Sequence, residues 1–150
     1  MALSHLPSAC PRCAALGSIS DRAVTLANAV AAAINEQHDE KYVGMYAYNY
    51  HSPPPHVRVH PNVIISVATA FIKGGLTLDE IIGGWARQGA TIGIREYYSV
   101  NTWSRDLPGK ARGGNLAYLA RTIPSFYEQG ARFMSAESGD SPVQNWKGSG

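Results

Sequence analysis

Hydrophobic and polar residues along the chain repeat with two different periods. Apolar residues recur every three or four positions in the segments 20–38, 77–88 and 115–129, which predicts three α-helices. Ser20 and Thr77 are suitable N-terminal caps for the first two helices, and Pro124 is expected to bend the third. The intervening segments have the alternation and composition of β-strands, so the pattern predicts an α/β fold.

Four segments rich in β-branched or aromatic residues are predicted to be strands, at 42–50, 62–69, 91–98 and 131–137. The second is apolar on both faces, as expected of a buried parallel strand. Alternation with helices predicts parallel pairing, although a stiff proline-rich loop at 51–61 takes the place of a helix between the first two strands. The strands form either a small open sheet or about four parallel strands of a partial (β/α)8 TIM barrel, and periodicity does not separate the two.

Composition and charge limit the classes of partner. The 150 residues are 45% hydrophobic and 16% charged, with a net charge of +2 and no basic run, so no nucleic acid partner is expected. No apolar stretch reaches the roughly 18–20 residues that span a bilayer, so no membrane partner is expected. We expect an N-terminal loop at 1–19, the partial barrel at 20–137 and a C-terminal loop or tail at 138–150. Localisation stays open, and a secreted or periplasmic longer protein is compatible with the chain.

Motifs for metals and cofactors are weak. Cys10 and Cys13 form one C-x-x-C pair, which cannot complete a tetrahedral zinc site even if His5 joins it. We favour a turn that carries two thiols over metal binding or redox chemistry. The chain has no phosphate-binding loop and no G-x-S-x-G nucleophile motif. Neither a cofactor nor a metal is therefore predicted.

Candidate chemistry lies at the carboxyl ends of the predicted strands, where parallel α/β folds bind ligands. Glu96 and Glu137 end successive strands, and glycoside cleavage uses two carboxylates. The alternatives are an ion pair of Glu96 with Arg95 and a loop-capping role for Glu137. For the tyrosine stripe from Tyr46 to Tyr50, core packing is favoured over a binding platform. Side chains that pack on sugar rings or bond to sugar hydroxyls are predicted at Tyr48, His51, Tyr97, Tyr98, Trp103 and Trp146.

The order of short motifs along residues 7–146 resembles a known family. It comprises C-x-x-C, Ser20-Asp21-Arg22, Tyr46-Ala47-Tyr48, the proline cluster, Pro61-Asn62-Val63, Trp85, Glu96-Tyr97-Tyr98 and Ser135-Ala136-Glu137-Ser138. The family is a large bacterial one, classed as a domain of unknown function and grouped with glycoside hydrolases of the TIM-barrel type. Its relatives are alpha-glucuronidase-like and hexosaminidase-like enzymes. The family pattern has a further cysteine where Ser8 stands, and its members are longer.

The resemblance implies a carbohydrate-active protein, namely a glycoside hydrolase that acts on a polysaccharide or oligosaccharide by carboxylate acid/base chemistry. The expected partners are a glycan substrate and the remaining barrel segments of a longer chain. In this interpretation Glu137 is the proton donor and Glu96 is the second carboxylate. The alternative is a barrel fragment that binds glycans without cleaving them, because a fold does not determine a function.

Overall fold

The computed structural model describes residues 10–97 and 116–137, except for the side chain of Glu137. In chain order these residues form α1 (Pro11–Ala15), α2 (Ile19–Asn35), β1 (Val43–Asn49), β2 (Val63–Ile72), α3 (Leu78–Arg87), β3 (Thr91–Tyr97), α4 (Leu116–Glu128) and β4 (Ala131–Glu137). The predicted long helices and strands are confirmed in type and order. The predictions for Tyr98, Trp103, Trp146 and the tail at 138–150 lie outside the described residues.

The strands form one parallel sheet in the order β1-β2-β3-β4. Val43 pairs with Val63 between β1 and β2, and Tyr97 pairs with Glu137 between β3 and β4. Each strand therefore lies beside the next strand in the chain. Within the described residues the sheet has no reversal of strand order of the kind that doubly wound folds show.

One face of the sheet is buried beneath the helices. Side chains alternate along a strand, and the residues Ile65, Val67, Ile92 and Ile94 share the face that packs on the helical layer. The helices contribute Val24, Ala27 and Ala31 from α2, Ile81, Ile82 and Trp85 from α3, and Phe126 from α4. None of the helices in the described ranges is long and apolar enough to cross a bilayer. The core thus lies on one side of the sheet, and none of the described helices packs on the other face.

The N-terminal region differs from the prediction in two ways. The segment predicted to be a loop contains α1, and the long helix that follows is capped by Ser18 instead of Ser20. The Ser18 hydroxyl accepts a hydrogen bond from the Asp21 amide, and the Asp21 carboxylate accepts one from the Ser18 amide. This reciprocal capping box moves the helix start to Ile19. Ser20 lies within the helix, where its hydroxyl donates to the carbonyl of Pro53.

The proline-rich loop between β1 and β2 packs against α3. The indole Nε1 of Trp85 donates a 2.8 Å hydrogen bond to the carbonyl of Ser52, and both residues are fully buried. Pro54 lies so close to Gly84 that a Cβ atom on this glycine would overlap the proline ring. The loop can connect two parallel strands without a helix because it takes up space on the helical side of the sheet.

Candidate functional site

The sheet face that points away from the helices carries aromatic rings and an arginine near the carboxyl ends of the strands. Tyr46, Tyr48, Arg95 and Tyr97 lie on this face because they alternate with core residues. The ring of Phe71, near the end of β2, makes edge-to-face contacts with those of Tyr48 and Tyr97 at centroid distances of 5.9 and 5.5 Å. The Arg95 guanidinium lies 5.8 Å from the ring centre of Tyr46 and 5.7 Å from that of Tyr97. We call these five residues the aromatic–arginine face.

Phe71 reaches this face through an unusual backbone conformation. By simple alternation from Thr69, its side chain would point toward the helices. Its φ is 58°, in the left-handed region, which costs an L-residue about 1–2 kcal/mol. Opposite it the β1–β2 pairing shifts after Ala47, and Asn49, with φ of 53°, pairs with Ile72. The irregularity turns the Phe71 ring toward the two tyrosines and leaves the residue 45% exposed.

Glu96 lies on the opposite, helix-covered face and is fully buried. The hydroxyl of Tyr118 donates to Oε1 over 2.6 Å, and the hydroxyl of Thr69 donates to Oε2 over 2.7 Å. The amide of Tyr97 also donates to Oε2, over 3.2 Å. The side chains of Glu96 and Arg95 therefore lie on opposite faces of β3, instead of forming the ion pair that the sequence left open. Both oxygens of this carboxylate are engaged by protein donors.

A cavity of about 300 Å³ lies beside the donors of Glu96. It is lined by residues of β2, α3, α4 and the turn after α4, namely Thr69, Leu78, Asp79, Tyr118, Arg121, Thr122, Ser125, Phe126 and Gln129. Thr69 and Tyr118 both line the cavity, and their hydroxyls donate hydrogen bonds to Glu96. These two side chains therefore connect the carboxylate to the cavity. Because the cavity is on the helical side of the sheet, it is separate from the aromatic–arginine face.

Asp21, at the start of α2, is a second buried carboxylate, and it anchors the proline-rich loop. Its Oδ1 accepts the backbone amides of His56 and Val57 over 2.6 and 3.2 Å. Its Oδ2 accepts the amide and hydroxyl of Ser18 over 2.9 and 2.7 Å and lies 3.0 Å from Nδ1 of His56. Burial acts to raise the pKa of Asp21, but the hydrogen bonds from His56 and Ser18 outweigh it and hold the pKa well below its ordinary value.

The His56 ring points into solvent, with 88% of its side chain exposed. It therefore adds a contact to Asp21 without lining a pocket. In residues 10–97 and 116–137, no group of three or more His, Cys, Asp or Glu side chains could hold a metal ion. The buried Asp21 network is a structural support in the described part of the chain.

The structure brings together some of the predicted site residues. Tyr48 and Tyr97 are in contact with Phe71 on the aromatic–arginine face. His51 lies in the turn after β1, where burial lowers the pKa of its imidazole, while a backbone hydrogen bond at Tyr46 acts in the opposite direction. Tyr98, Trp103 and Trp146 lie outside the described residues, so their predicted roles stay predictions.

The two predicted catalytic carboxylates lie on neighbouring strands, Glu137 as the last residue of β4 and Glu96 as the residue before the last of β3. The backbone of Glu137 pairs with Tyr97, and the backbone of Glu96 pairs with Ala136. This register places the backbone of Glu137 beside Tyr97, the last residue of the aromatic–arginine face along β3. Glu96 precedes Tyr97 by one residue, so its side chain lies on the opposite face of the sheet, which packs against α4.

Sequence reasoning missed part of the aromatic–arginine face. Tyr46 was expected in the core but is 50% exposed, because the core side of β1 is formed by the residues that alternate with it. The place of Arg95 could have been read from its alternation with Ile94, since apolar and polar faces have opposite parity in a strand. Phe71 carried no such signal, because a left-handed residue reverses the alternation that sequence reasoning relies on.

Comparisons with known proteins place the chain in a family without adding an activity. Residues 5–138 match the family described as a domain of unknown function, DUF4838. No curated protein is significantly similar to the chain. No solved structure is significantly similar to it either. Because the match spans most of the 150 residues, the chain belongs to the DUF4838 family.

Proposed function

We propose that this protein is carbohydrate-active and that it hydrolyses glycosidic bonds in a polysaccharide or oligosaccharide. The observation that supports the proposal is the aromatic–arginine face. Phe71 stands between Tyr48 and Tyr97 with nearly half of its surface open, and Tyr46 is exposed beside Arg95. Exposed rings at the carboxyl ends of parallel strands are suited to packing on the C–H faces of sugar rings, and the arginine is suited to donating hydrogen bonds to sugar oxygens.

The same face supports a barrel as the complete architecture. Among residues 10–97 and 116–137, the helices cover one side of the sheet and the strands follow chain order, as they do in a (β/α)8 barrel. Parallel sheets are usually buried on both faces, yet this one exposes Tyr46, Phe71 and Phe133. Further strands from a longer chain would close a barrel around that face. The rings near the carboxyl ends of the strands would then line the substrate cleft.

The proposed proton donor is Glu137, whose backbone at the end of β4 pairs with Tyr97. Glu96 is the proposed second carboxylate. Because Tyr118 and Thr69 occupy its oxygens, its participation requires these hydroxyls to release it. The burial of Glu96 is also the observation that favours the alternative, a protein that binds glycans on the aromatic–arginine face without cleaving them.

Binding of oligosaccharides to the 150-residue chain tests the face directly. We expect Tyr46→Ala to weaken affinity by about tenfold, which corresponds to roughly 1.4 kcal/mol, the upper range for one aromatic contact. The matched control is Tyr127→Ala on α4. Tyr127 is also an exposed tyrosine beside an arginine, with the Arg132 guanidinium 4.8 Å from its ring centre, but it belongs to the helical layer. Equal losses in the two variants, or no binding to a panel of neutral and acidic oligosaccharides measured by calorimetry, would refute the assignment.

Turnover separates hydrolysis from binding alone. In a chain long enough to include the remaining barrel segments, Glu137→Gln should lower glycoside hydrolysis by roughly 10²–10⁴-fold, as expected for loss of a general acid, and should leave glycan affinity nearly unchanged. If the parent chain binds glycans but releases no product, the non-catalytic alternative is correct. If Glu137→Gln turns over at the parent rate, Glu137 is not the proton donor.

A further inference from the structure

The C-x-x-C pair, which the proposed function does not use, spans the first turn of α1. Cys10 is the N-terminal cap of the helix and Cys13 is its third residue. They are the two cysteines of the entire chain, and neither is in a disulfide. Any thiol chemistry of these 150 residues therefore belongs to this pair.

The two cysteines are neighbours in sequence and structure, in an accessible position. They lie three residues apart at the start of α1, Cys10 is exposed, and α1 contains no buried residue. Side chains three residues apart on a helix have Cβ atoms roughly 5–6 Å apart, and a disulfide requires about 3.5–4.5 Å. Closing the pair thus needs only a small rearrangement of a turn on which no core residue depends.

The surroundings favour the thiolate of Cys10, which is the nucleophilic form. The backbone N–H of Cys13 foremost, and then the Cys13 side chain, lower the pKa of the Cys10 thiol. Cys13 is less exposed than Cys10. This asymmetry suits Cys10 to attack and Cys13 to resolve.

We propose that Cys10 and Cys13 form a redox-active dithiol that exchanges with small-molecule disulfides. The Cys10 thiolate attacks one sulfur of the external disulfide, whose S–S bond breaks, and the first thiolate leaves and is protonated by solvent. Cys13 loses its proton to solvent and attacks the Cys10 sulfur of the mixed disulfide, which expels the second thiolate. The two cysteines are oxidised to an intramolecular disulfide, and the external disulfide is reduced to two thiols.

The reaction can be followed by intact-mass spectrometry on the reduced 150-residue chain treated with oxidised glutathione. The parent chain should lose two hydrogens without accumulating an adduct. Cys13→Ser should accumulate one glutathione at Cys10, and Cys10→Ser should react at least about tenfold more slowly, because Cys13 is less exposed. The double variant Cys10→Ser/Cys13→Ser should not react. All variants should unfold like the parent, since α1 buries no side chain.

Three results would overturn the proposal. The first is a parent chain that keeps a stable glutathione adduct instead of closing the pair. The second is a Cys10→Ser variant that reacts as fast as Cys13→Ser. The third is full protection of both thiols by one equivalent of Zn²⁺ added before glutathione, because the pair would then be half of a metal site. This test is independent of glycan binding.

Discussion

Replacing Asp21 by asparagine should destabilise the protein more than its small change in shape suggests. The oxygen that asparagine keeps can still accept the loop amides of His56 and Val57, which bond to Oδ1 in the parent. The new NH₂ group takes the place of Oδ2, which accepts two hydrogen bonds from Ser18. One backbone donor then loses its acceptor, and the remaining hydrogen bonds lose the assistance of the charge.

The cost follows from these contacts. A hydrogen bond to a charged group contributes about 1.5–3 kcal/mol, and about half of that is lost when the acceptor becomes neutral. One lost bond and two weakened ones give an expected loss of about 3–6 kcal/mol in the free energy of unfolding. Asp21 is 2% exposed, so water can replace little of this.

Urea unfolding at pH 7, followed by circular dichroism, measures the loss, and α3 supplies a matched control. Glu80 occupies the same N3 position in the capping box of Thr77, but it is exposed. Glu80→Gln should therefore change the unfolding free energy little. A second control is His56→Ala, which keeps the backbone amide that Asp21 binds and should also cost little. If Asp21→Asn costs no more than Glu80→Gln, or if His56→Ala costs as much, Asp21 does not anchor the loop in the way described.

The same carboxylate gives a pH dependence of known sign. The folded pKa of Asp21 lies below its unfolded value of about 3.9. Its contribution to stability is thus fully present above the unfolded pKa and is lost as pH falls toward the folded pKa. The stability gap between parent and Asp21→Asn should be constant from pH 7 to about pH 5 and should narrow below about pH 4. A gap that widens on acidification would show that the sign is wrong.

Further variants test packing, strain and buried polarity by the same unfolding assay. Gly84→Ala should be less stable than Gly83→Ala by about 1–3 kcal/mol. Both variants gain helix propensity, but only Gly84→Ala forces a Cβ atom into the ring of Pro54. Equal stabilities would rule out the overlap. Phe71→Gly should be more stable than Phe71→Ala by about 1 kcal/mol, since only glycine relieves the left-handed φ, and the usual strand preference for alanine would contradict this. Glu96→Gln should cost about 1–3 kcal/mol, because an amide cannot accept all three of its present hydrogen bonds; a neutral effect would mean that those bonds add nothing to stability.

Local periodicity was sufficient for most of the secondary structure. Thr77 caps α3 as predicted, and β4 spans the predicted segment 131–137. These features depend on residues close in sequence, namely a hydroxyl three residues from a glutamate and a strand flanked by glycine. The predicted start of α2, with Ser20 as the cap, was wrong for a related reason. Ser18 and Ser20 both precede acidic or polar residues, and only the reciprocal bond with Asp21 selects Ser18.

The site depended more on contacts between distant segments. Membership of a family of unknown function and the parallel α/β sheet could be anticipated from the chain alone, as could the position of Tyr97 at a strand end. The burial of Glu96 could not be anticipated, because its hydrogen-bond donors are distant in sequence. They are Thr69 on β2, 27 residues away, and Tyr118 on α4, 22 residues away. Phe71 depends on a backbone conformation that reverses strand alternation. Periodicity shows which residues share a face of one helix or strand. Packing between helices and strands decides which of these faces is covered, and therefore which carboxylate becomes buried.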